Sequence, residues 1–299
     1  FSNSPYQFAS SLVIRPDGKI LVGGALWRYG TTYQNSLFLL NTDGTLDTSF
    51  TPSIPEYDVS KMTLLSNGQI ILCFQGNAAL KKLNADGSID NSFYFTNQFT
   101  NASGNTGIIN TVVEEADGKL LVGGRFTKVN NLSYKDFARL NSDGTLNTQY
   151  SASGFSVTSY LSDNYVGVST ILIQNDGKII LGGDFIKYQT NNIDSIVRLN
   201  PDFTIDTTFV GGIDTEALWQ DNYASSSFSC LASHPDGDII GVGSFHSYNG
   251  VAINGVVKIN NDGSKESNFN NICRGFDESV KQFELQPDGK ILCIGRFHA

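Results

Sequence analysis

Short runs of apolar residues alternate with polar turn residues along the chain, and one such pattern recurs. It consists of an Asp-Gly or Asn-Gly pair followed by aliphatic and small residues, and it occurs six times: RPDGKILVGG at 15–24, SNGQIILCF at 66–74, ADGKLLVGG at 116–124, NDGKIILGG at 175–183, PDGDIIGVG at 235–243 and PDGKILCIG at 287–295. Such pairs between β-prone runs indicate a β-hairpin, because Gly, Asn and Asp tolerate the positive φ angles of a tight turn. Each copy therefore predicts two antiparallel strands joined by a short turn.

A second pattern recurs between the copies of the first. It is found five times: NTDGTLDTSF at 41–50, NADGSIDNSF at 84–93, NSDGTLNTQY at 141–150, NPDFTIDTTF at 200–209 and NNDGSKESNF at 260–269. The two patterns together predict four strands in each period, which we call A to D. In the first period these strands cover 11–14, 19–24, 37–41 and 45–50. Regularly repeated four-stranded units are typical of β-propeller blades, whereas a β-helix has a shorter coil and a β-sandwich does not repeat its turns.

We therefore predict an all-β fold, a single β-propeller over residues 1–299 with four-stranded antiparallel blades. The predicted units are approximately 1–50, 51–93, 94–150, 151–209, 210–269 and a partial sixth unit at 270–299. The sixth unit stops after strand B, so we expect either that a longer parent chain continues beyond Ala299 or that the last blade is open. An open sheet edge invites pairing with a partner.

The tandem pattern PDGKILVGG-x-F followed by RLNxDGTLDxxF resembles the delta-60 repeat β-propellers, a family of unknown function. The resemblance covers nearly the whole chain. It is weakest in the second unit, where Cys73 and Phe74 replace the two glycines and 75–80 is a shortened connection. It implies a secreted, cell-surface or virion-associated protein, often within a longer chain, with no activity attached to the repeat itself.

Charge and composition exclude several classes of partner. The chain has a formal net charge of −9 and no Lys/Arg-rich run, so it would repel a phosphate backbone, and we predict no nucleic-acid partner. No stretch of about 18 apolar residues is present, so no membrane span is predicted. The four cysteines show no CxxC spacing, and no zinc site is predicted from Cys73, Cys230, Cys273 and Cys293.

We interpret the repeated turns as structural. Strand alternation puts the A-to-B and C-to-D turns on one face of the predicted propeller and the B-to-C and D-to-A connections on the other. The turn residues are short, alike and polar: Asp17, Gly18, Asp43, Gly44, Asp117, Gly118, Asp143, Gly144, Asp176, Gly177, Asp236, Gly237, Asp288 and Gly289.

The variation in length falls on the second face, where 94–107, 151–168 and 210–228 are long insertions. Loops on a rigid scaffold often carry recognition residues. Aromatic side chains among Ser, Thr and Asn suit stacking on sugar rings or anchoring a protein partner, although they also suit covering the scaffold. The predicted binding residues are Trp27, Tyr29, Tyr33, Phe155, Tyr160, Tyr165, Trp219 and Tyr223.

Metal and catalytic motifs are weak. The pattern N-x-D-G-x-x-D at 41–47 faintly resembles a calcium loop, but the closing glutamate is missing and hairpin chemistry explains the Asp-Gly pair, so no cofactor is predicted. His246 and His298 follow the same Phe in successive units and could share a metal or a proton, yet the other units carry no histidine there. The chain has no GxSxG elbow, P-loop or haem-attachment motif.

Two classes of function remain. The first is a non-enzymatic extracellular or cell-surface module, which recognises a protein or glycan through its long-loop face or serves as a structural part of a larger assembly. A variant of this class is a tail-fibre or other host-recognition component of a virion. The second class is a propeller hydrolase or lyase acting on polysaccharide, which requires carboxylates or histidines converging at the axis. The A strands would line that axis, and they supply few charges: Lys61, Glu114, Glu115, Lys281 and Glu284.

Overall fold

The computed structural model describes residues 8–26, 28–33, 36–54, 58–74, 77–96, 98–149, 157–158, 167–185, 187–188, 191–213, 227–269, 276–286 and 288–297. These described residues form β-strands and turns but no helix, so the predicted all-β class is confirmed. The strands are β1 (Phe8–Ile14), β2 (Ile20–Ala25), β3 (Arg28–Tyr29), β4 (Thr32–Tyr33), β5 (Leu37–Leu40), β6 (Val59–Leu64), β7 (Ile70–Phe74), β8 (Asn77–Leu83), β9 (Phe99–Thr100), β10 (Ile108–Glu114), β11 (Leu120–Arg125), β12 (Lys128–Val129), β13 (Leu132–Ser133), β14 (Phe137–Leu140), β15 (Val157–Thr158), β16 (Gly167–Ile173), β17 (Ile179–Asp184), β18 (Lys187–Tyr188), β19 (Asn191–Asn192), β20 (Ile196–Leu199), β21 (Ser227–Ser233), β22 (Ile239–Ser244), β23 (Ser247–Tyr248), β24 (Val251–Ala252), β25 (Val256–Ile259), β26 (Val280–Leu285) and β27 (Ile291–Gly295).

The chain divides into two compact units. Unit 1 comprises Phe1–Ser133 and Ala138–Gln149, and unit 2 comprises Tyr134–Phe137 and Tyr150–Ala299. The single domain and the unit boundaries expected from the repeat stay predictions.

Strands A, B and C of each repeat form one antiparallel sheet with B in the middle. These sheets are β1-β2-β5, β6-β7-β8, β10-β11-β14, β16-β17-β20 and β21-β22-β25, and the sixth repeat contributes β26-β27. Strand D is shorter than the sequence pattern predicts, because it meets strand C at one bridge only, as Leu199 does with Ile205. The backbone then bonds to the following repeat, where Val210 N–H donates to the Asp262 carbonyl at 2.8 Å.

The A-to-B turns are three-residue loops. In the first, Arg15 N–H donates to Lys19 O and Gly18 N–H donates to Arg15 O, both at 2.9 Å. Gly18 has a φ of 78°. It is therefore the residue in the left-handed conformation that follows the type I turn in hairpins of this kind. Asp17 Oδ1 accepts Lys19 N–H at 3.2 Å. The turn geometry thus accounts for the Asp-Gly pair without a bound ion.

The glycine that ends the first pattern marks a close approach between two backbones. The pairing of β21 with β22 shifts register between Phe228 and Cys230, which is a β-bulge. A Cβ on Gly243 would lie 2.0 Å from the Ser227 carbonyl oxygen, which no side chain tolerates. Glycine recurs here because the bulged A strand crosses strand B at this point.

Neighbouring sheets within a unit pack through a constant set of positions. The second and fourth residues of a B strand, such as Leu21 and Gly23, point toward the following sheet, on what we call the trailing face. The first and third residues of a B strand, with the A-strand residues opposite them, point toward the preceding sheet, on what we call the leading face. Leu21 on a trailing face is buried in one cluster with Met62, Ile70 and Leu72 on the next leading face.

In the described part of the chain, a small hairpin that the repeat pattern does not predict follows strand B in four repeats. The hairpins are β3-β4, β12-β13, β18-β19 and β23-β24. Asn249 and Gly250 have φ angles of 49° and 75°, and this pair of positive angles is what a type I′ turn requires. The Asn-Gly at this turn and the Asn-Asn at 130–131 are the sequence signals that locate these hairpins.

Candidate functional site

Most of the predicted binding aromatics lie outside the described residues: Trp27, Phe155, Tyr160, Tyr165, Trp219 and Tyr223. Tyr29 and Tyr33 are described, and both lie on the hairpin β3-β4 of unit 1. This hairpin therefore carries the predicted binding aromatics whose geometry the structure describes.

The hairpin β3-β4 presents an aromatic ring beside a cation. Arg28 lies directly opposite Tyr33, and Tyr29 lies opposite Thr32. Tyr33 is 79% exposed, and Arg28 and Thr32 are also exposed. Opposite residues of an antiparallel pair hold their Cβ atoms about 5 Å apart, so the guanidinium and the phenol ring lie within reach of the same ligand.

The equivalent hairpins carry different residues at the position of this pair. In the third repeat Lys128 is opposite Ser133, in the fourth Lys187 is opposite Asn192, and in the fifth Ser247 is opposite Ala252. Among the described hairpins, the combination of an arginine and an aromatic ring thus belongs to the first repeat.

Tyr29 anchors this hairpin to the sheet. Its hydroxyl donates to the Gly44 carbonyl at 2.6 Å, and its ring centroid lies 6.1 Å from that of Phe38. The hairpin therefore lies along strand C and reaches the C-to-D turn. This differs from the expectation that the B-to-C connection and the C-to-D turn occupy opposite faces, because the connection forms a hairpin that folds back over the strand.

The same anchor recurs in unit 2. Tyr188 donates its hydroxyl to Phe203 O at 3.1 Å, and Tyr248 donates to Gly263 O at 2.8 Å. Both rings are fully buried, and burial raises the pKa of Tyr248 far above its ordinary value. The shared spacing of 15 residues between each tyrosine and its acceptor is a signal that the sequence contains and that separates Tyr29 from Tyr33.

Ion pairs whose aspartate is largely buried tie the strands of a repeat together. Lys19 lies 2.6 Å from Asp47, and Lys82 lies 3.0 Å from Asp90. The pKa of the Asp47 carboxyl is held well below its usual range by hydrogen bonds from Lys19 and Ser49. These aspartates belong to the second sequence pattern, from which the ion pairs were not predicted.

The fourth repeat has the most elaborate of these clusters. Asp206 lies 2.8 Å from Arg198 and 2.9 Å from Lys178. Burial raises the pKa of Asp206, but hydrogen bonds from Thr208 and Lys178 and the charge of Arg198 outweigh it, so the pKa is well below its usual range. Arg198 also donates to Asn261 Oδ1 at 2.8 Å, which links the fourth repeat to the fifth.

Two of the acidic residues assigned to the A strands, Glu114 and Glu115, are bound to other groups. Glu114 Oε2 accepts the Ser66 N–H at 2.6 Å. Glu115 lies 2.5 Å from Arg139, and burial raises its pKa against the opposing effect of that arginine. Within the described ranges, no three residues of the His, Cys, Asp and Glu types come together as metal ligands.

The structure describes some of the histidines and cysteines and not others. His246 Nδ1 lies 2.9 Å from Asn254 Oδ1, while His298 lies outside the described residues. Cys73 is a buried free thiol whose pKa burial raises to about 12, whereas Cys273 lies outside the described residues. No helix among the described segments is long and apolar enough to cross a membrane.

Antiparallel sheets that repeat along the chain and pack face to face within each unit define a β-propeller protein, as predicted. More particularly, the model described as "Domain of unknown function (DUF5122) beta-propeller" matches residues 15–50, 74–93, 115–150, 174–209 and 234–269. These segments make up more than half of the chain, and the chain belongs to this family, which confirms the resemblance drawn from the repeats. No curated protein sequence matches the chain significantly.

Solved structures of low sequence identity share the fold. The extracellular domain of a one-component system of B. thetaiotaomicron is 13% identical with a TM-score of 0.56, over 97% of this chain and 32% of that one. The extracellular domain of a hybrid two-component system of the same organism is 12% identical with a TM-score of 0.54, over 95% of this chain and 31% of that one. A streptogramin B lyase is 16% identical with a TM-score of 0.53, over 95% of this chain and 82% of that one. The chain thus spans about a third of the length of the two bacterial extracellular domains.

Proposed function

We propose that the chain is a non-enzymatic, extracellular or cell-surface propeller module that recognises a protein or glycan through the hairpin β3-β4. The observation that carries the proposal is the exposure of Tyr33, which is 79% accessible on a hairpin with Arg28 directly opposite it. Tyrosine and arginine dominate the binding energy of recognition surfaces, and an aromatic ring also stacks on the apolar face of a sugar.

The rigidity of the hairpin supports this role. The hydrogen bond from Tyr29 to Gly44 fixes the hairpin on the sheet before any ligand arrives. A fixed surface loses less conformational entropy on binding than a mobile loop does, and the saving appears as affinity. The two tyrosines thus have separate roles: Tyr29 holds the hairpin, and Tyr33 faces the ligand.

The location outside the cell is part of the same proposal. It is supported by what the resemblance to the delta-60 repeat β-propellers implies and by the similar fold of two bacterial extracellular domains. A host-recognition component of a virion would use the same hairpin, with other domains of a longer chain or assembly subunits as its neighbours. A module without its own ligand would be a rigid spacer in such an assembly.

The enzymatic alternative rests on the fold that the chain shares with a streptogramin B lyase. Against it, Glu114 and Glu115 accept structural hydrogen bonds from Ser66 and Arg139. A carboxylate held in a structural pair is not free to transfer a proton to a substrate. This supports the non-enzymatic proposal.

A glycan array and a cell-surface binding screen test the proposal. The double variant Arg28→Ala/Tyr33→Ala removes the exposed pair, and Lys128→Ala/Ser133→Ala removes the equivalent pair of the third repeat as a matched control. We expect the first variant to lose binding by roughly 30-fold, since such truncations cost about 2 kcal/mol. We expect the control to bind as the unmodified protein does. Equal binding by all three proteins would refute the role of this hairpin, and no binding by any of them would leave the spacer role.

A further inference from the structure

The two sides of the hairpin β3-β4 have different surroundings. Tyr29 faces the sheet, because its ring centroid lies 6.1 Å from that of Phe38 and its hydroxyl donates to the Gly44 carbonyl. Successive residues of a strand point to opposite sides, so Arg28 and Tyr33, which lie opposite each other, face away from the sheet. A ligand that reaches this outer side therefore meets a guanidinium and a phenol ring.

The guanidinium of Arg28 differs from those of the framework arginines in its partners. Arg139 lies 2.5 Å from Glu115, and Arg198 lies 2.8 Å from Asp206. Arg28 is exposed, and among the described residues no carboxylate lies within ion-pair distance of it. A guanidinium holds a carboxylate through two parallel hydrogen bonds. Arg28 can therefore form such a pair with a carboxylate that a ligand supplies.

The acidic charge of the chain does not prevent this pairing. Asp43 lies in the turn that the hairpin contacts, and its Oδ1 accepts the hydroxyl and the N–H of Thr45 at 2.6 and 2.9 Å. These bonds commit Asp43 to its own turn. Exposed charges separated by more than about 8 Å are largely screened at physiological ionic strength, so distant carboxylates repel an anion at Arg28 only weakly.

The outer side of the hairpin suits a ligand the size of one sugar residue. Each strand has two residues and so contributes one outward side chain. The Cβ atoms of two opposite residues lie about 5 Å apart, which is close to the width of a pyranose ring. A stable protein–protein interface, in contrast, buries about 800 Å² on each partner, far more than these two side chains supply.

We propose that the ligand of the hairpin β3-β4 is a uronic acid residue of an acidic glycan. Tyr33 stacks on the apolar face of the pyranose ring, and Arg28 binds the C6 carboxylate. This inference rests on the binding role proposed above for the hairpin and adds the class of ligand. A neutral sugar would gain the stacking on Tyr33 but would leave Arg28 without a charged partner.

The third repeat supplies a comparison within the chain. On the hairpin β12-β13, Lys128 lies opposite Ser133, and both residues are exposed. This hairpin thus has a cation at the position of Arg28 but a hydroxyl in place of the aromatic ring. It attracts the same anion without offering a surface for stacking, so Lys128→Gln is the matched control for Arg28→Gln.

Oligomers of a uronic acid and their methyl esters test the proposal, because esterification removes the charge and leaves the sugar ring intact. Galacturonate, glucuronate and mannuronate oligomers are titrated into the unmodified chain, and the dissociation constants are measured by calorimetry. We expect at least one acid to bind roughly tenfold more tightly than its ester, the effect of one charge-assisted hydrogen bond. This preference should fall when the salt concentration is raised.

The variants separate the two contacts. Arg28→Gln should abolish the preference by weakening the binding of the acid alone, whereas Tyr33→Ser should weaken the binding of both acid and ester. Lys128→Gln should bind as the unmodified chain does. Circular dichroism and the thermal midpoint verify that each variant is folded.

Three results would overturn the proposal: no binding of any uronate oligomer, equal binding of acid and ester, or tighter binding of polyglutamate, which would indicate an acidic protein as the partner. The binding screen then shows how far the failure extends. If Arg28→Ala/Tyr33→Ala still loses binding to another ligand, the proposed function stands and only the ligand class is wrong. If it loses none, the proposed function fails as well.

Discussion

At the scale of single residues, the charged side chains of this propeller are mostly structural. Asp206 is buried between two cations, Arg198 and Lys178, and its carboxylate oxygens also accept hydrogen bonds from the Thr208 backbone and hydroxyl at 3.0 and 2.6 Å. Burial alone would favour the protonated acid, but the sum of these contacts favours the carboxylate. Such a group stabilises the fold only while it is ionised.

The pH dependence of stability follows from the lowered pKa of Asp206 in the folded protein. A carboxyl whose pKa is lower in the folded state than in the unfolded state adds stability above the unfolded value of about 4, and the gain is lost as the pH falls toward the folded value. Asp206→Asn should therefore lower the unfolding free energy by about 3 kcal/mol at pH 7, because it leaves Arg198 buried without its carboxylate. The difference from the unmodified protein should shrink at pH 3, as measured by denaturant titration. Asp202→Asn, which changes an exposed turn aspartate that accepts hydrogen bonds from Thr204 but contacts no buried cation among the described residues, is the control and should lose less unfolding free energy than Asp206→Asn.

The anchoring tyrosines allow a second comparison between equivalent residues. Tyr188→Phe removes a buried hydroxyl and leaves the Phe203 carbonyl without that donor, so it should cost about 1 to 2 kcal/mol of unfolding free energy. Tyr29→Phe removes the same bond at an exposed site and should cost about 0.5 kcal/mol or less, because water replaces the donor. Thermal midpoints of the two variants check this. An equal loss in both would contradict the difference in burial.

At the scale of elements, strands A, B and C could be predicted from the sequence because aliphatic runs and Asp-Gly turns recur in register. The length of strand D could not be predicted from the sequence. Its pairing ends where Val210 bonds to the next repeat, and a bond between residues so far apart in the sequence leaves no local pattern. The hairpin β3-β4 could not be predicted from Tyr29 and Tyr33 alone. Its equivalents at Asn130-Asn131 and Asn249-Gly250 carry the signal for it.

The bulge at the end of strand B gives a prediction for an element. Gly243→Ala places a Cβ against the Ser227 carbonyl, so it should cost about 3 kcal/mol or more and shift the thermal midpoint by several degrees. Gly30→Ala is the control, because its Cβ would meet nothing within 4 Å and only its φ of 58° is unfavourable. It should cost about 1 kcal/mol. A midpoint for Gly243→Ala at or above that of Gly30→Ala would contradict the close approach.

At the scale of the whole molecule, the proposed function assigns framework and recognition to different residues. The turns, ion pairs and glycines recur in most repeats and hold the sheets, whereas Arg28 and Tyr33 occur on one hairpin only among those described. The fold could be predicted because it is encoded many times over. The site could be predicted only in part, because the sequence marks aromatic residues without showing which of them, such as Tyr29, is committed to the framework.

The most direct test of this separation measures two quantities for each variant. The first is the dissociation constant for a ligand found in the binding screen, and the second is the thermal midpoint. Arg28→Ala/Tyr33→Ala should weaken binding by roughly 30-fold and leave the midpoint unchanged, since both side chains are exposed. Asp206→Asn should lower the midpoint and leave the dissociation constant unchanged at a temperature where it is folded. Unchanged binding in the hairpin variant, or weakened binding in the folded framework variant, would contradict the account.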